Sequence, residues 1–182
     1  MIETITCHST IIGIGNIVRH PGENRRAAER RSALEVLHTL TGDCSLEISH
    51  NPNGAPFITS APHIFISISH SGSLVAVAID NRRPVGIDIE ENRSRQLARV
   101  APRVLNEAEL EYYSAMPGGL LAAWTMKEAL FKIASDGTAA DFRHDIALPL
   151  SKGDSRASAG QRDAEIALSI ARPGYQLTLA VI

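Results

Sequence analysis

The sequence is poor in aromatic residues, which make up 4% of its 182 positions, and it has one tryptophan. Its core must therefore be built mainly from aliphatic side chains. Cysteine is scarce too: Cys7 and Cys44 stand far apart, with no CxxC pair. That excludes a disulfide framework and a cysteine-rich zinc site, and predicts free thiols in a reducing compartment. Neither sign of charge is in excess, the formal net charge being -2. A general electrostatic case for nucleic acid or membrane binding is thereby missing. No apolar run reaches the roughly 20 residues needed to span a bilayer. The opening "MIETITCHSTIIGIG" lacks the basic stretch of a signal peptide. These absences predict a cytoplasmic protein.

What is present is an ordinary globular composition, 44% hydrophobic and 21% charged, with a length suited to one domain or two small fused halves. "MIETITCHSTIIGIGNIV" reads as one or two strands. "GENRRAAERRSALEVLHTLTG" sets Ala27, Leu34, Leu37 and Leu40 at helical spacing, with Gly42 as a stop. "NPNGAP" is a turn cluster, and "HIFISISHSGSLVAVAID" reads as a hairpin. "SRQLARVAPRVLNEAELEYY" predicts two short helices broken near Pro102, and "GGLLAAWTMKEALFKIAS" a long one. "EIALSI", a Pro-Gly turn and "YQLTLAVI" make a closing hairpin, while the polar stretch 151–163 predicts a loop. Each half runs helix first and hairpin later. The expectation is an α+β fold of two similar halves, 1–84 and 85–182, related by a pseudo-twofold.

One strand breaks the aliphatic pattern. In "PVGIDIEENRSR", Asp88 and Glu90 alternate with Ile87 and Ile89, so both acids project from one face and both isoleucines from the other. Two adjacent carboxylates repel unless solvent, a proton or a cation intervenes. A hard divalent ion, Mg²⁺ or Mn²⁺, takes oxygen ligands and commonly shares them with phosphates. A half-exposed strand with one polar face is the plainer alternative. In "WTMKEALFK", Trp124, Glu128 and Lys132 fall on one helical stripe, beside an apolar stripe of Ala123, Met126, Leu130 and Ile133.

The ordered set "ISHSG", "VGIDIE", "LNEAELEYY" and "WTMKEALFK" resembles the 4′-phosphopantetheinyl transferase superfamily, with the likeness strongest over residues 54–135. The resemblance implies transfer of the phosphopantetheine arm of coenzyme A to a serine of an apo carrier protein, acyl, peptidyl or aryl. The products would be the holo-carrier and adenosine 3′,5′-bisphosphate. It implies Mg²⁺ as cofactor, coenzyme A in the cleft between two α+β halves, and a monomer. Asp88, Glu90 and Glu128 match the family's metal ligands, Glu128 also matching its general base. Lys132 would stabilise charge at the breaking phosphoanhydride. Glu109 would organise the site from behind, and Trp124 would pack beside it. Ser69 and His70 match a stretch that contacts coenzyme A phosphates, and Arg26 or its neighbour Arg25 a phosphate-pairing arginine. Arg95, Arg99 and Arg103, one turn apart, would make a basic ridge for the acidic helix of a carrier protein.

The likeness is incomplete. Ala55 stands where larger members often have lysine in Gly-Lys-Pro, and "IASDGTAADFRHDIALP" lacks the usual glycine-leucine-proline rhythm. A catalytically silent relative that binds coenzyme A or carrier protein, and an unrelated Mg²⁺-dependent phosphohydrolase, are the competing expectations.

Overall fold

A computed structural model describes residues 2–92, 94–134 and 141–182, apart from the side chains of residues 94–96. Strands β1 (Glu3–Cys7) and β2 (Thr10–Asn16) form a hairpin, followed by helix α1 (Arg25–Thr41). Asn24 caps α1 by accepting from the backbone N–H of Ala27, and Gly42 ends it in the left-handed region at φ 71°. That conformation is the reason for glycine at this position. A short ribbon, β3 (Ile48–His50) and β4 (Pro56–Ile58), carries the turn cluster at its tip. The hairpin of β5 (Phe65–Ser71) and β6 (Leu74–Asp80) completes an antiparallel sheet in the order β1-β2-β6-β5.

The second sheet is built entirely from later residues: β7 (Val85–Glu91), β8 (Ile146–Ala147), β9 (Arg156–Ala159), β10 (Arg162–Arg172) and β11 (Tyr175–Val181), in the order β7-β11-β10-β9-β8. Between β7 and β8 come α2 (Ser94–Val104), α3 (Glu107–Ser114) and α4 (Gly119–Ile133). The change of sheet falls between Asp80 and Val85. No described helix is long and apolar enough to cross a membrane.

Burial makes the layers explicit. Val75, Val77 and Ile79 of β6 pack with Ala33, Val36 and Leu37 of α1. Ile12, Ile14, Ala76 and Ala78 of the first sheet meet Val85, Ile87, Ile89, Leu177 and Leu179 of the second. On the far face of the second sheet, Ile166 and Ala180 pack with Ala123, Leu130 and Ile133 of α4, with Met126 partly buried beside them. The order is thus helix, sheet, sheet, helices. Because side chains alternate, the isoleucines of β7 enter the inter-sheet core and leave Gly86, Asp88 and Glu90 toward α4.

Two expectations are corrected. Helix α2 runs through Pro102, which falls in its last turn; the chain breaks after Val104, where Asn106 opens α3 with a reciprocal cap to Glu109. The stretch 151–163 is not a loop but mostly ribbon, β9 turning at Gly160 into β10 with Arg162 opposite Ala159. Its polarity reflects one exposed face of a hairpin near the sheet edge.

Helix α4 meets β7 at Gly86, where an added Cβ would overlap the carbonyl oxygen of Ala129. Gly86→Val should cost roughly 1–3 kcal/mol or more, read as a lower urea midpoint at unchanged slope. A variant as stable as the parent would refute this packing.

Candidate functional site

The alternating acids of β7 meet alternating serines of β5. These strands are not paired in a sheet, and hydroxyls span the gap. Ser67 Oγ accepts from the Ile87 N–H at 3.0 Å, Ser69 Oγ donates to Asp88 Oδ1 at 2.8 Å, and Ser71 Oγ donates to Glu90 Oε2 at 2.6 Å. Ser71 also accepts from the Glu91 N–H at 3.2 Å. All three serines are buried. The Ser69 hydroxyl orients Asp88. The period-two serines of "SISHS" were the signal for this role, readable only against the matching period of "DIE".

Helix α4 supplies the other half. Lys132 Nζ donates to Asp88 Oδ1 and to the Ile87 carbonyl, each at 2.8 Å. Thr125 and Thr178 share a 2.8 Å hydrogen bond that fixes α4 to β11 directly opposite Asp88. Burial pushes the Glu128 carboxyl up to about 7, and the negative charges of Asp88 and Glu90 add to the shift against the pull of Lys132. Burial also raises Asp88, although Lys132 and Ser69 oppose it.

A buried Glu128 whose proton affinity is raised by burial and by the charges of Asp88 and Glu90 suits the neighbourhood of a hard divalent cation. One atom argues for it independently: Asp88 Oδ2 is buried and without a hydrogen-bond partner. A buried carboxylate oxygen left unsatisfied is costly. Among the described residues, however, no three acidic, histidine or cysteine side chains already converge as a metal cage. Lys132 and the serine hydroxyls hold Asp88 Oδ1 and Glu90 Oε2. Asp88 Oδ2 is left as an oxygen donor without a partner.

Behind α4 lies a residue that sequence reasoning missed. Lys127, between Met126 and Glu128, is fully buried and makes a 2.8 Å ion pair with Glu109. Its ammonium also donates to the carbonyls of Phe142 and Ile146 at 2.8 and 2.6 Å. Glu109 in turn accepts from the backbone N–H of Leu148 at 2.9 Å and closes the α3 cap. Burial lowers Lys127's proton affinity while Glu109 restores part of it. Glu109 therefore ties α3 and the 142–148 segment to α4, away from Asp88. Trp124 stacks on Phe142 with ring centroids 6.3 Å apart, and Phe142 on Phe131 at 4.7 Å. Nothing but a buried position between two helices would have singled out Lys127 among the helix's polar residues.

A cavity of about 800 Å³ opens between α1 and the β3–β4 ribbon, lined by Arg26, Arg30, His50, Gly54, Pro56 and His70 among others. The structure thus brings Arg26 and His70 to one wall, His50 standing across the ribbon from Pro56, next to Ala55. A second cavity, about 410 Å³, shares Gly54 and Pro56 and reaches Phe131 and Lys132. Arg99 and Arg103 are exposed on α2; the Arg95 side chain lies outside the described residues.

The wall of Arg26, Arg30 and His70 suits an anionic ligand such as a phosphate. A family model for the 4′-phosphopantetheinyl transferase superfamily matches residues 84–180, and the chain belongs to that superfamily. It is 33% identical over 136 residues to the 4′-phosphopantetheinyl transferase psf-1 of Bacillus pumilus, covering 63% of this chain and 58% of that one. It is 38% identical over 84 residues to enterobactin synthase component D of Escherichia coli, covering 43% and 40% respectively. With the 4′-phosphopantetheinyl transferase AcpT of Salmonella typhi it shares 32% over 94 residues, covering 47% and 48%. The chain spans about half the length of the curated relatives it matches.

Two outcomes are expected. A glutamate whose folded pKa is raised binds its proton more tightly when native, so stability falls as pH rises from about 4.5 to about 7. In chelator, Glu128→Gln should exceed the parent in stability above pH 7 by up to about 3 kcal/mol, and match it near pH 4. Urea titrations across that range would refute the assignment if the two curves ran parallel. Lys127→Ala should cost about 3–5 kcal/mol by leaving Glu109 buried and unpaired, and Lys127→Met with Glu109→Leu much less. A loss below about 1 kcal/mol for Lys127→Ala would show that the pair anchors nothing.

Proposed function

We propose that this chain transfers the 4′-phosphopantetheine arm of coenzyme A to a serine of an apo carrier protein, releasing adenosine 3′,5′-bisphosphate, with Mg²⁺. The observation that carries the reading is the convergence of Asp88 from β7 with Lys132 from α4, beside a buried Asp88 oxygen that nothing satisfies. Residues 1–84 and 85–182 are taken as two halves related by a pseudo-twofold, with coenzyme A between them. Supporting this, β2-β6-β5 and β7-β11-β10 repeat one strand order, each with a helix outside.

In this reading Asp88, Glu90 and Glu128 hold the ion. When bound, it would neutralise charge on the coenzyme A diphosphate. His70 and Arg26 bind phosphate at the cationic wall. The carrier serine attacks the phosphorus that bears pantetheine, its proton passing to Glu128. Glu128 stands at about 7 in the metal-free chain, and a bound cation would lower it, so the proton would pass as the serine is drawn into place. The phosphoanhydride bond breaks, and Lys132 meets the charge gathering on the departing nucleotide's phosphate. Ser69 and Ser71 keep the carboxylates oriented. The nucleophile arrives with the partner, so the chain needs none of its own. Arg99 and Arg103, with Arg95, would steer the acidic carrier helix. The protein would act as a cytoplasmic monomer.

The test is intact-mass spectrometry of a panel of apo carrier proteins after incubation with enzyme, coenzyme A and Mg²⁺. The parent should add one phosphopantetheine. Glu128→Gln and Lys132→Ala should lose roughly 10²–10⁴ in rate. A folded protein that modifies no carrier would overturn the reading in favour of a silent binder.

A further inference from the structure

The cationic wall of the 800 Å³ cavity contains an acid that the proposed chemistry does not use. Glu29, on α1, has a side chain only 11% exposed. Its oxygens are divided: Oε1 accepts from Arg25 Nε at 2.6 Å, and Oε2 lies 3.6 Å from His70 Nε2. Arg26 and Arg30, one turn apart on the neighbouring stripe, line the same space. Among the described residues neither has an ion-pair or hydrogen-bond partner. Arg31, by contrast, is spent on Glu23 and Glu35. The wall thus offers two uncommitted guanidiniums and one imidazole already faced by the chain's own carboxylate.

A nearly buried carboxylate in a cavity that admits anions repels them, and it must yield the imidazole before a phosphate can take it. We propose that Glu29 is the resident counter-anion of this cavity and a specificity-determining residue. It faces His70 while the cavity is empty, weakens every anionic ligand, and is overcome only by one whose phosphate also engages Arg26 and Arg30. Specificity of this kind comes from a built-in repulsive element as much as from attraction. The inference rests on the reading that the cavity takes the phosphorylated nucleotide end of coenzyme A. It goes further, because Glu29 is given a role opposed to tight binding.

The test uses calorimetric titration of residues 1–182 with adenosine 3′,5′-bisphosphate and with adenosine, without carrier protein or transfer. Glu29→Gln, which keeps the side chain's size, should bind the bisphosphate about tenfold more tightly, with adenosine unchanged. The gain should shrink as salt rises. Glu29→Asp, which withdraws the carboxylate by one methylene, should give an intermediate gain and covers a misfolded glutamine variant. Unchanged or weaker bisphosphate binding in Glu29→Gln would overturn the inference, weaker binding meaning that Glu29 orients His70 for the ligand. Absence of bisphosphate binding to parent and variants would overturn it as well, whatever the transfer assay gives. Tighter binding in a chain that modifies no carrier would sustain the inference while removing the proposed reaction.

Discussion

Helix α4 can deliver Glu128 and Lys132 to the acids of β7 only because nothing stands between helix and strand at residue 86. Backbone touches backbone there: any side chain on residue 86 would collide with the Ala129 carbonyl. One turn along the helix, Lys132 reaches the Ile87 carbonyl and the Asp88 carboxylate together. The threonine pair 125–178 pins the other end of the same contact. Widening that approach would lengthen these bonds at once, since interiors packed to crystal density pass a shift on rather than absorb it. The reactive geometry is therefore set by how near two backbones come.

The site is costly to the fold. Asp88 keeps an unsatisfied oxygen in the interior, and Glu128 resists ionising because it is buried, with two other acids adding to the effect. Offsetting contacts are placed around the acids rather than on them. Serine hydroxyls bridge two sheets that share no backbone ladder at that edge, and the buried Lys127–Glu109 pair locks α3 and the 142–148 segment behind α4. A buried polar atom without a partner, offset by contacts around it, is found at functional sites more often than in purely structural ones.

Much of this was legible beforehand. The alternation in "VGIDIE" gave the strand and the shared face of Asp88 and Glu90, and helical spacing aligned Glu128 with Lys132. Features set by distant pairings were not legible. Ser69 could be placed at a strand end, but its partner is nineteen residues later on another sheet. Lys127 looks like any surface lysine until α3 and the 142–148 segment close over it. The two helices come as expected, but the break falls after Val104 rather than at Pro102, because Asn106 caps α3 there. The ribbon at 156–162 was hidden because hairpins with one exposed face are as polar as loops.

The first sheet repeats the register of the second, with a different content. Counting from each hairpin turn, Gly15 pairs with Val75 where Glu90 pairs with Gln176, and Gly13 with Val77 where Asp88 pairs with Thr178. Glycine at both places lets α1 settle onto the sheet, and Val36 fills the volume that side chains there would need. The first sheet is closed by packing at the positions where the second carries two carboxylates. Two alike scaffolds thus carry opposite contents, and under the proposed reaction only one of them could hold a centre of turnover.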